Sequence, residues 1–129
     1  MHKKLQRPGR PVFLNLTQIR FPITALTSIV HRLSGLLLFI LIPFMLWALE
    51  RSLATPEGFH CVGHFFASPV MKFFGWVFLS ALAYHLVAGI RHLFMDSGIG
   101  ESKQGGRAGS IIIIIVSIVL IVLAGVWIW

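Results

Sequence analysis

The sequence contains little charge and almost no cysteine, and each shortage limits the class of protein. Only 12% of the 129 residues are charged and 57% are hydrophobic, which is unusual for a soluble domain and favours a membrane protein. The single cysteine, Cys61, excludes an intrachain disulfide framework and a cysteine-rich metal cluster. A redox metal would therefore have to be held by histidine or belong to a partner chain.

Acidic residues are also scarce, with four Asp and Glu against eleven Lys and Arg and a net charge of +7. Such an excess can indicate a nucleic-acid binder, but six of the basic residues come before or just inside the first long apolar stretch: Lys3, Lys4, Arg7, Arg10, Arg20 and Arg32. This placement is typical of the cytoplasmic flank of a membrane protein. No basic face with interleaved aromatic residues remains elsewhere, so we predict no nucleic-acid partner.

Three apolar stretches, at about residues 28–49, 70–95 and 110–129, are long enough to cross a bilayer, which takes about 20 helical residues. The β-branched run at residues 111–116 would suggest a strand in water. Lipid favours a helix instead, because each spanning segment must satisfy its own backbone hydrogen bonds. We predict an all-α integral membrane domain over residues 1–129, with three transmembrane helices and a basic segment at 1–27. Three helices alone bury few side chains, so we expect helices of a partner subunit to pack against them.

The loops predict the orientation. Basic residues dominate the N-terminal segment, residues 96–109 add Lys103 and Arg107, and residues 50–69 contain one Arg against two Glu. The positive-inside rule therefore places the N-terminus and residues 96–109 in the cytoplasm, and the C-terminus, with Trp127 and Trp129, outside. The first span lies too far from Met1, and is too long, for a cleaved signal peptide, and no amphipathic transit segment precedes it. We therefore expect a bacterial inner membrane. The glycine- and serine-rich residues 96–109 are predicted to be a flexible connector.

The outer loop, residues 50–69, contains His60, Cys61 and His64. Two histidines four residues apart could bind a metal, but with Cys61 they provide only three ligands, fewer than a structural metal site usually has. The C-x-x-C-H haem attachment motif is also absent. We interpret them as ordinary loop residues.

Polar side chains cluster at the start of the first span. Ser28, His31 and Arg32 are spaced i, i+3 and i+4, so a helix places them on one face, and Gly35 extends that face one turn deeper. Arg32 alone could simply extend to the lipid interface, as basic residues at helix ends often do. Three polar groups on one stripe, above a glycine that allows close approach, favour a functional site.

His85 lies about ten residues inside the second span, which places it roughly 15 Å deep, near the bilayer midplane. An imidazole there can hydrogen-bond to a neighbouring helix or bind a metal cofactor, and depth alone leaves both open. Ala81 and Gly89 flank it four residues away on the same face. These small residues would leave a flat slot that suits a porphyrin edge.

The first two spans run antiparallel, so residues near the end of the second span lie at the same depth in the membrane as residues near the start of the first. Arg91 and His92 lie roughly 10 Å beyond His85 along the helix, near the expected level of His31 and Arg32. A haem on His85 would direct its propionates toward these four side chains, which can form charge-assisted hydrogen bonds. The same spacing makes His31 a poor second ligand, so another chain would have to supply it.

Two motifs resemble the cytochrome b membrane-anchor subunit of bacterial succinate dehydrogenase, respiratory complex II, and the resemblance extends over essentially the whole chain. The first, in RPVFLNLTQIRFPITALTSIVHRLS, contains Arg10-Pro11 and then Ser28-x-x-His31-Arg32-x-Ser34. The second, HLVAGIRHLFMD, contains His85-x-x-x-Gly89-Ile90-Arg91-His92-x-x-x-Asp96.

The resemblance implies a four-chain complex in which a flavoprotein oxidises succinate, an iron–sulfur protein relays electrons and two hydrophobic anchors reduce ubiquinone. This chain would be a non-dehydrogenase subunit. The resemblance makes His85 an axial ligand of haem b, shared with a histidine of the second anchor subunit. It places Ser28 and Arg32 at the quinone site and His31 near the haem propionates. A fixed guanidinium there would stabilise the negative charge that develops on a quinone oxygen.

Two other functions stay open from the sequence. A fumarate reductase anchor would run the same electron transfer in the opposite direction, and the sequence does not determine the direction. A structural anchor without a cofactor would use the same helices for packing alone.

Overall fold

The computed structural model describes residues 21–129. Residues 1–20, and with them most of the predicted basic segment and the Arg10-Pro11 part of the first motif, lie outside the described residues. Over residues 21–129 the chain forms four helices and no strand: α1 (Ile23–Ala54), α2 (Pro56–Ala67), α3 (Pro69–Asp96) and α4 (Lys103–Ile128). Helices α1, α3 and α4 are each long and apolar enough to cross a membrane. The predicted all-α membrane fold is confirmed.

Helix α2 corrects the prediction of an outer loop. The Thr55 Oγ1 atom accepts a hydrogen bond from the Gly58 backbone N–H at 2.9 Å. The first turn of the helix contains Pro56 and the acidic residue Glu57. All three features favour a helix start. Residues 50–54 also belong to a helix, because α1 continues through Pro43 to Ala54.

Helix α4 corrects the prediction of a flexible connector. It begins at Lys103, and only residues 97–102 separate it from α3. The turn uses Gly98 and Gly100, at φ values of 82° and 81°, which side chains rarely tolerate. The Ser102 Oγ atom then accepts a hydrogen bond from the Gly105 N–H at 3.0 Å and starts the helix. Packing against α3 overrides the low helix propensity of the glycines in α4.

The interior of the bundle is made of small and hydroxylated residues. Helix α3 contacts both α1 and α4, and α1 also contacts α4. Ile113 is the one large apolar side chain among the buried residues of the described part, which are Thr27, Ser34, Ala48, Ala88, Gly106, Ser110, Ile113 and Ser117. Large apolar side chains lie outside instead; Trp127, for example, is 80% exposed. This distribution is typical of helices that pack within lipid.

Hydrogen bonds across helices join the buried hydroxyls. Thr27 Oγ1 of α1 lies 3.2 Å from Ser110 Oγ of α4, and the Tyr84 hydroxyl of α3 donates to the Thr27 carbonyl at 2.9 Å. We call the end of the bundle where α1 begins, α3 ends and α4 begins the polar end. The opposite end, which includes α2, is the aromatic end.

Candidate functional site

Three imidazole rings stack between α1 and α3 in the polar half of the bundle. The ring centroid of His31 lies 4.2 Å from that of His85, with 21° between the planes. On its other side it lies 4.9 Å from the ring centroid of His92, with 20° between the planes. His85 and His92 are seven residues apart, about 10 Å along the axis of α3. The ring from α1 fills the gap between them.

This geometry corrects one depth estimate. His31 contacts His92, in agreement with the antiparallel match, but the expected separation of roughly 10 Å from His85 is wrong, because their ring centroids are 4.2 Å apart. Counting residues along an axis ignores the reach of the side chain. The stacking gives a different reason not to pair His31 with His85 on one metal ion: imidazole lone pairs lie in the ring planes, so those of two stacked rings do not converge.

The Nδ1 atom of His85 is held from α1. It lies 3.1 Å from the backbone carbonyl oxygen of His31 and 3.1 Å from the Ser34 Oγ atom. A carbonyl oxygen only accepts hydrogen bonds, so the Nδ1 atom carries the proton and donates it. The Nε2 atom of His85 then keeps its lone pair, which is the arrangement of most metal-binding histidines. The sequence interpretation included Ser34 in a motif but gave it no contact.

Two glycines leave space for these rings. A Cβ atom added at Gly35 would lie 2.8 Å from the Cε1 atom of His85, and one added at Gly89 would lie 3.7 Å from the Nε2 atom of His31. The expectation that Gly35 admits a closely approaching group is confirmed, and the group is the His85 ring. Beside Gly89, where the sequence suggested a slot for a porphyrin edge, the structure places the His31 ring.

A cavity of about 730 Å³ opens beside this stack at the polar end. Ser28, His92 and Arg91 line it, together with residues from the start of α4. Arg91 reaches across to α4, where its Nη2 atom donates to the Gly106 carbonyl oxygen at 3.1 Å. A Cβ atom at Gly109 would lie 2.6 Å from the Arg91 Nε atom. Sequence reasoning missed this part of α4, although the small residues of GGRAGS were a signal of close packing.

Arg32 is not among the residues that line this cavity. It is exposed on α1, four residues beyond Ser28, which is half-buried. The structure therefore groups Ser28 with Arg91 and His92 and leaves Arg32 on the outer surface, where a partner chain or lipid can reach it.

The remaining candidates, His60, Cys61 and His64, are exposed on α2. Over residues 21–129 no group of three His, Cys, Asp or Glu side chains is arranged to hold a metal ion. They lie on the surface of a helix, and not in the outer loop that the sequence predicted.

These features define a class: a multi-pass helical membrane protein with three stacked histidines between two helices and a cavity at its polar end. Comparison with known proteins then identifies the family. Residues 6–124 match the family described as succinate dehydrogenase/fumarate reductase transmembrane subunit. The chain belongs to this family.

Three relatives share the name succinate dehydrogenase cytochrome b556 subunit. The protein from Coxiella burnetii is 46% identical over 121 residues, which cover 93% of this chain and 97% of the relative. That from Paracoccus denitrificans is 35% identical, covering 90% and 95%. That from Rickettsia typhi is 31% identical, covering 88% and 89%. The resemblance seen in the two sequence motifs is thus confirmed.

Proposed function

We propose that this chain is the haem b-binding membrane anchor of a succinate dehydrogenase complex and helps to form the site where ubiquinone is reduced. One observation carries the haem assignment: the Nδ1 atom of His85 faces the His31 carbonyl at 3.1 Å, so its Nε2 atom is free to bind iron. The cytochrome b556 name of the relatives supports the same assignment.

The residues present fit a haem in a second respect. The Nε2 atom of His31 is buried and has no hydrogen-bond partner among residues 21–129. A buried polar atom without a partner is costly, and a haem propionate would accept a hydrogen bond there. Arg91 and Arg32 would provide further donors in this propionate environment, to which His92 would also belong. The second axial ligand would come from the other anchor subunit.

Bound haem b would supply a one-electron carrier within the membrane. This chain contributes the orientation of His85, since α1 fixes the ring that α3 carries. It also contributes the surroundings, because the residues buried between its helices are mostly small and hydroxylated. Burial, axial ligation and hydrogen bonding to the ligand are the properties by which a protein adjusts such a carrier.

The quinone site would use Ser28 and Arg32. The hydroxyl of Ser28 lines the 730 Å³ cavity, a volume within the usual range for small-molecule sites of about 300–1,000 Å³. It would donate a hydrogen bond that orients the quinone ring. The guanidinium of Arg32, exposed one turn away, would stabilise the negative charge on a carbonyl oxygen as electrons arrive. A quinone bound by both would lie between this chain and its partners.

The partners in this proposal are a flavoprotein, an iron–sulfur protein and a second hydrophobic anchor. The exposed apolar faces of α1, α3 and α4 are available to the anchor and to lipid. The proposed location is a bacterial inner membrane, with the polar end at the cytoplasmic side, where the iron–sulfur protein docks and protons are available. Purification through a tag on this chain, followed by identification of the partner chains, tests this assembly. Recovery of this chain alone would contradict it.

Removal of the proposed ligand tests the haem assignment. We expect the purified wild-type complex to show b-type absorbance on reduction and the His85→Ala complex to lose it. His60→Ala, which removes an exposed imidazole from α2, is the matched control and should keep the full absorbance. Full absorbance in His85→Ala would remove the assignment.

A second substitution tests the quinone role. We expect Arg32→Ala to lower succinate:quinone reductase activity while succinate oxidation by a soluble artificial dye persists. Arg51→Ala, at the far end of α1 and also exposed, should leave both activities intact. If Arg32→Ala also left both intact, Arg32 would be an interfacial anchor with no role in the reaction.

A further inference from the structure

One turn of α1 contacts a single edge of the His85 ring at three places. The His31 carbonyl oxygen and the Ser34 Oγ atom each lie 3.1 Å from the Nδ1 atom. Gly35 is the third contact, because any side chain there would meet the Cε1 atom at 2.8 Å. Ser34 is buried, with 7% of its surface exposed, so water does not compete for its hydroxyl.

The hydroxyl of Ser34 has its own direction. It donates to the His31 carbonyl oxygen at 2.8 Å, which uses its one proton. Toward the Nδ1 atom of His85, Ser34 can then only accept. Both neighbours of that nitrogen are acceptors, and together they fix the imidazole in the form with the proton on Nδ1.

His92 differs from His85 in the helix that holds its Nδ1 atom. Its Nδ1 atom lies 2.8 Å from the carbonyl oxygen of Ala88, four residues earlier on the same helix. The hydrogen bond that holds the Nδ1 atom of His92 therefore lies within α3. His85, in contrast, depends on a different helix, so the position of α1 controls the direction in which its Nε2 atom points.

We propose that Ser34 and Gly35 are positioning residues for His85: the Ser34 hydroxyl accepts from the Nδ1 atom, and Gly35 leaves the room that this contact requires. The inference rests on the proposed role of His85 as haem ligand. A hydrogen bond accepted from Nδ1 makes the opposite nitrogen a stronger donor to the metal, and losing such a contact typically weakens metal binding about 10–100-fold. A stronger donor also stabilises the more positively charged, oxidised iron.

The test is Ser34→Ala in the assembled complex, measured by haem content and by a redox titration of the haem absorbance. We expect the haem to be retained at a lower affinity, by about tenfold, and its midpoint potential to rise. The control is Ser80→Ala, since the Ser80 hydroxyl donates only to the Trp76 carbonyl on its own helix, at 2.7 Å. Its potential should equal that of the wild type.

Gly35→Ala provides a second measurement. The added methyl group would displace the His85 ring, so we expect a larger loss of haem than in Ser34→Ala. Wild-type complex without haem would refute the function proposed above. Haem present in the wild type, with unchanged potential and content in Ser34→Ala and Gly35→Ala, would instead overturn the positioning role alone.

Discussion

The two ends of the bundle use the same helices in opposite ways. At the polar end, His31, His85 and His92 stack, and Arg91 crosses from α3 to α4. At the aromatic end, rings of phenylalanine and tryptophan pack around a cavity of about 510 Å³, and Lys72 is the one charged residue that lines it. The difference shows that most of the contacts between polar groups of different helices lie at the polar end, and that apolar and aromatic packing predominates at the other end.

One hydrogen bond also joins two helices at the aromatic end. The indole Nε1 atom of Trp76 donates to the Ile121 carbonyl oxygen at 2.9 Å, and the same ring packs edge-on against Trp129. The bond links α3 to α4 at the aromatic end as Arg91 does at the polar end. The donor is the indole of Trp76 at the aromatic end, and at the polar end it is the guanidinium of Arg91, beside the proposed quinone site.

The largest effect should come from matched glycine substitutions at the two ends. Gly109→Ala places a Cβ atom 2.6 Å from the Arg91 Nε atom, whereas Gly75→Ala places one in open space. We expect Gly109→Ala to displace Arg91 from Gly106 and to cost about 1–3 kcal/mol, with reduced quinone reductase activity. Gly75→Ala should be neutral or slightly stabilising. Thermal unfolding of the complex and activity assays measure both, and equal effects would remove the distinction between the ends.

A smaller effect is expected at the aromatic end itself. Trp76→Phe removes the hydrogen bond to Ile121 but keeps most of the ring, so the free energy of unfolding should fall by about 1 kcal/mol. The haem absorbance and both electron-transfer activities should stay unchanged, because the residue lies away from the histidine stack. A changed haem spectrum would show that the two ends are coupled.

The smallest effect concerns the buried pair of hydroxyls at the polar end. A double-mutant cycle with Thr27→Val and Ser110→Ala isolates their 3.2 Å contact. We expect a coupling energy of about 0.6 kcal/mol, the average for hydrogen bonds between membrane helices. A coupling near zero in the unfolding free energies would mean that packing alone accounts for this contact.

The fold was predictable where length and composition decide it. The second predicted span, residues 70–95, differs from α3 by one residue at each end, because lipid leaves the backbone no alternative to a helix. Helix α2 was missed although Thr55, Pro56 and Glu57 form an ordinary helix start. The start of α4 was missed because its glycines suggest a turn, whereas the Ser102 cap and the packing against α3, with Arg91, make this segment helical.

The sequence supplied the candidate residues but not their arrangement. Spacing put Ser28, His31 and Arg32 on one face, whereas the structure groups Ser28 with Arg91 and His92 and leaves Arg32 outside the cavity. Spacing also could not show that His31 contacts both His85 and His92, since the reach and tilt of a side chain are not encoded in residue counts. The contact between Ser34 and His85 joins residues on two helices, and periodicity within one helix carries no information about such a partner.

The tight turn between α3 and α4 also bears on how the protein is made. Six residues, with glycines at two left-handed positions, allow these helices little freedom to separate. We expect them to enter the bilayer together as one hairpin during synthesis, with Arg91 already bonded to the backbone of its neighbour. Helix α1 would then pack against this hairpin last. The same step would close the bundle and bring the His31 carbonyl and the Ser34 hydroxyl to the His85 ring.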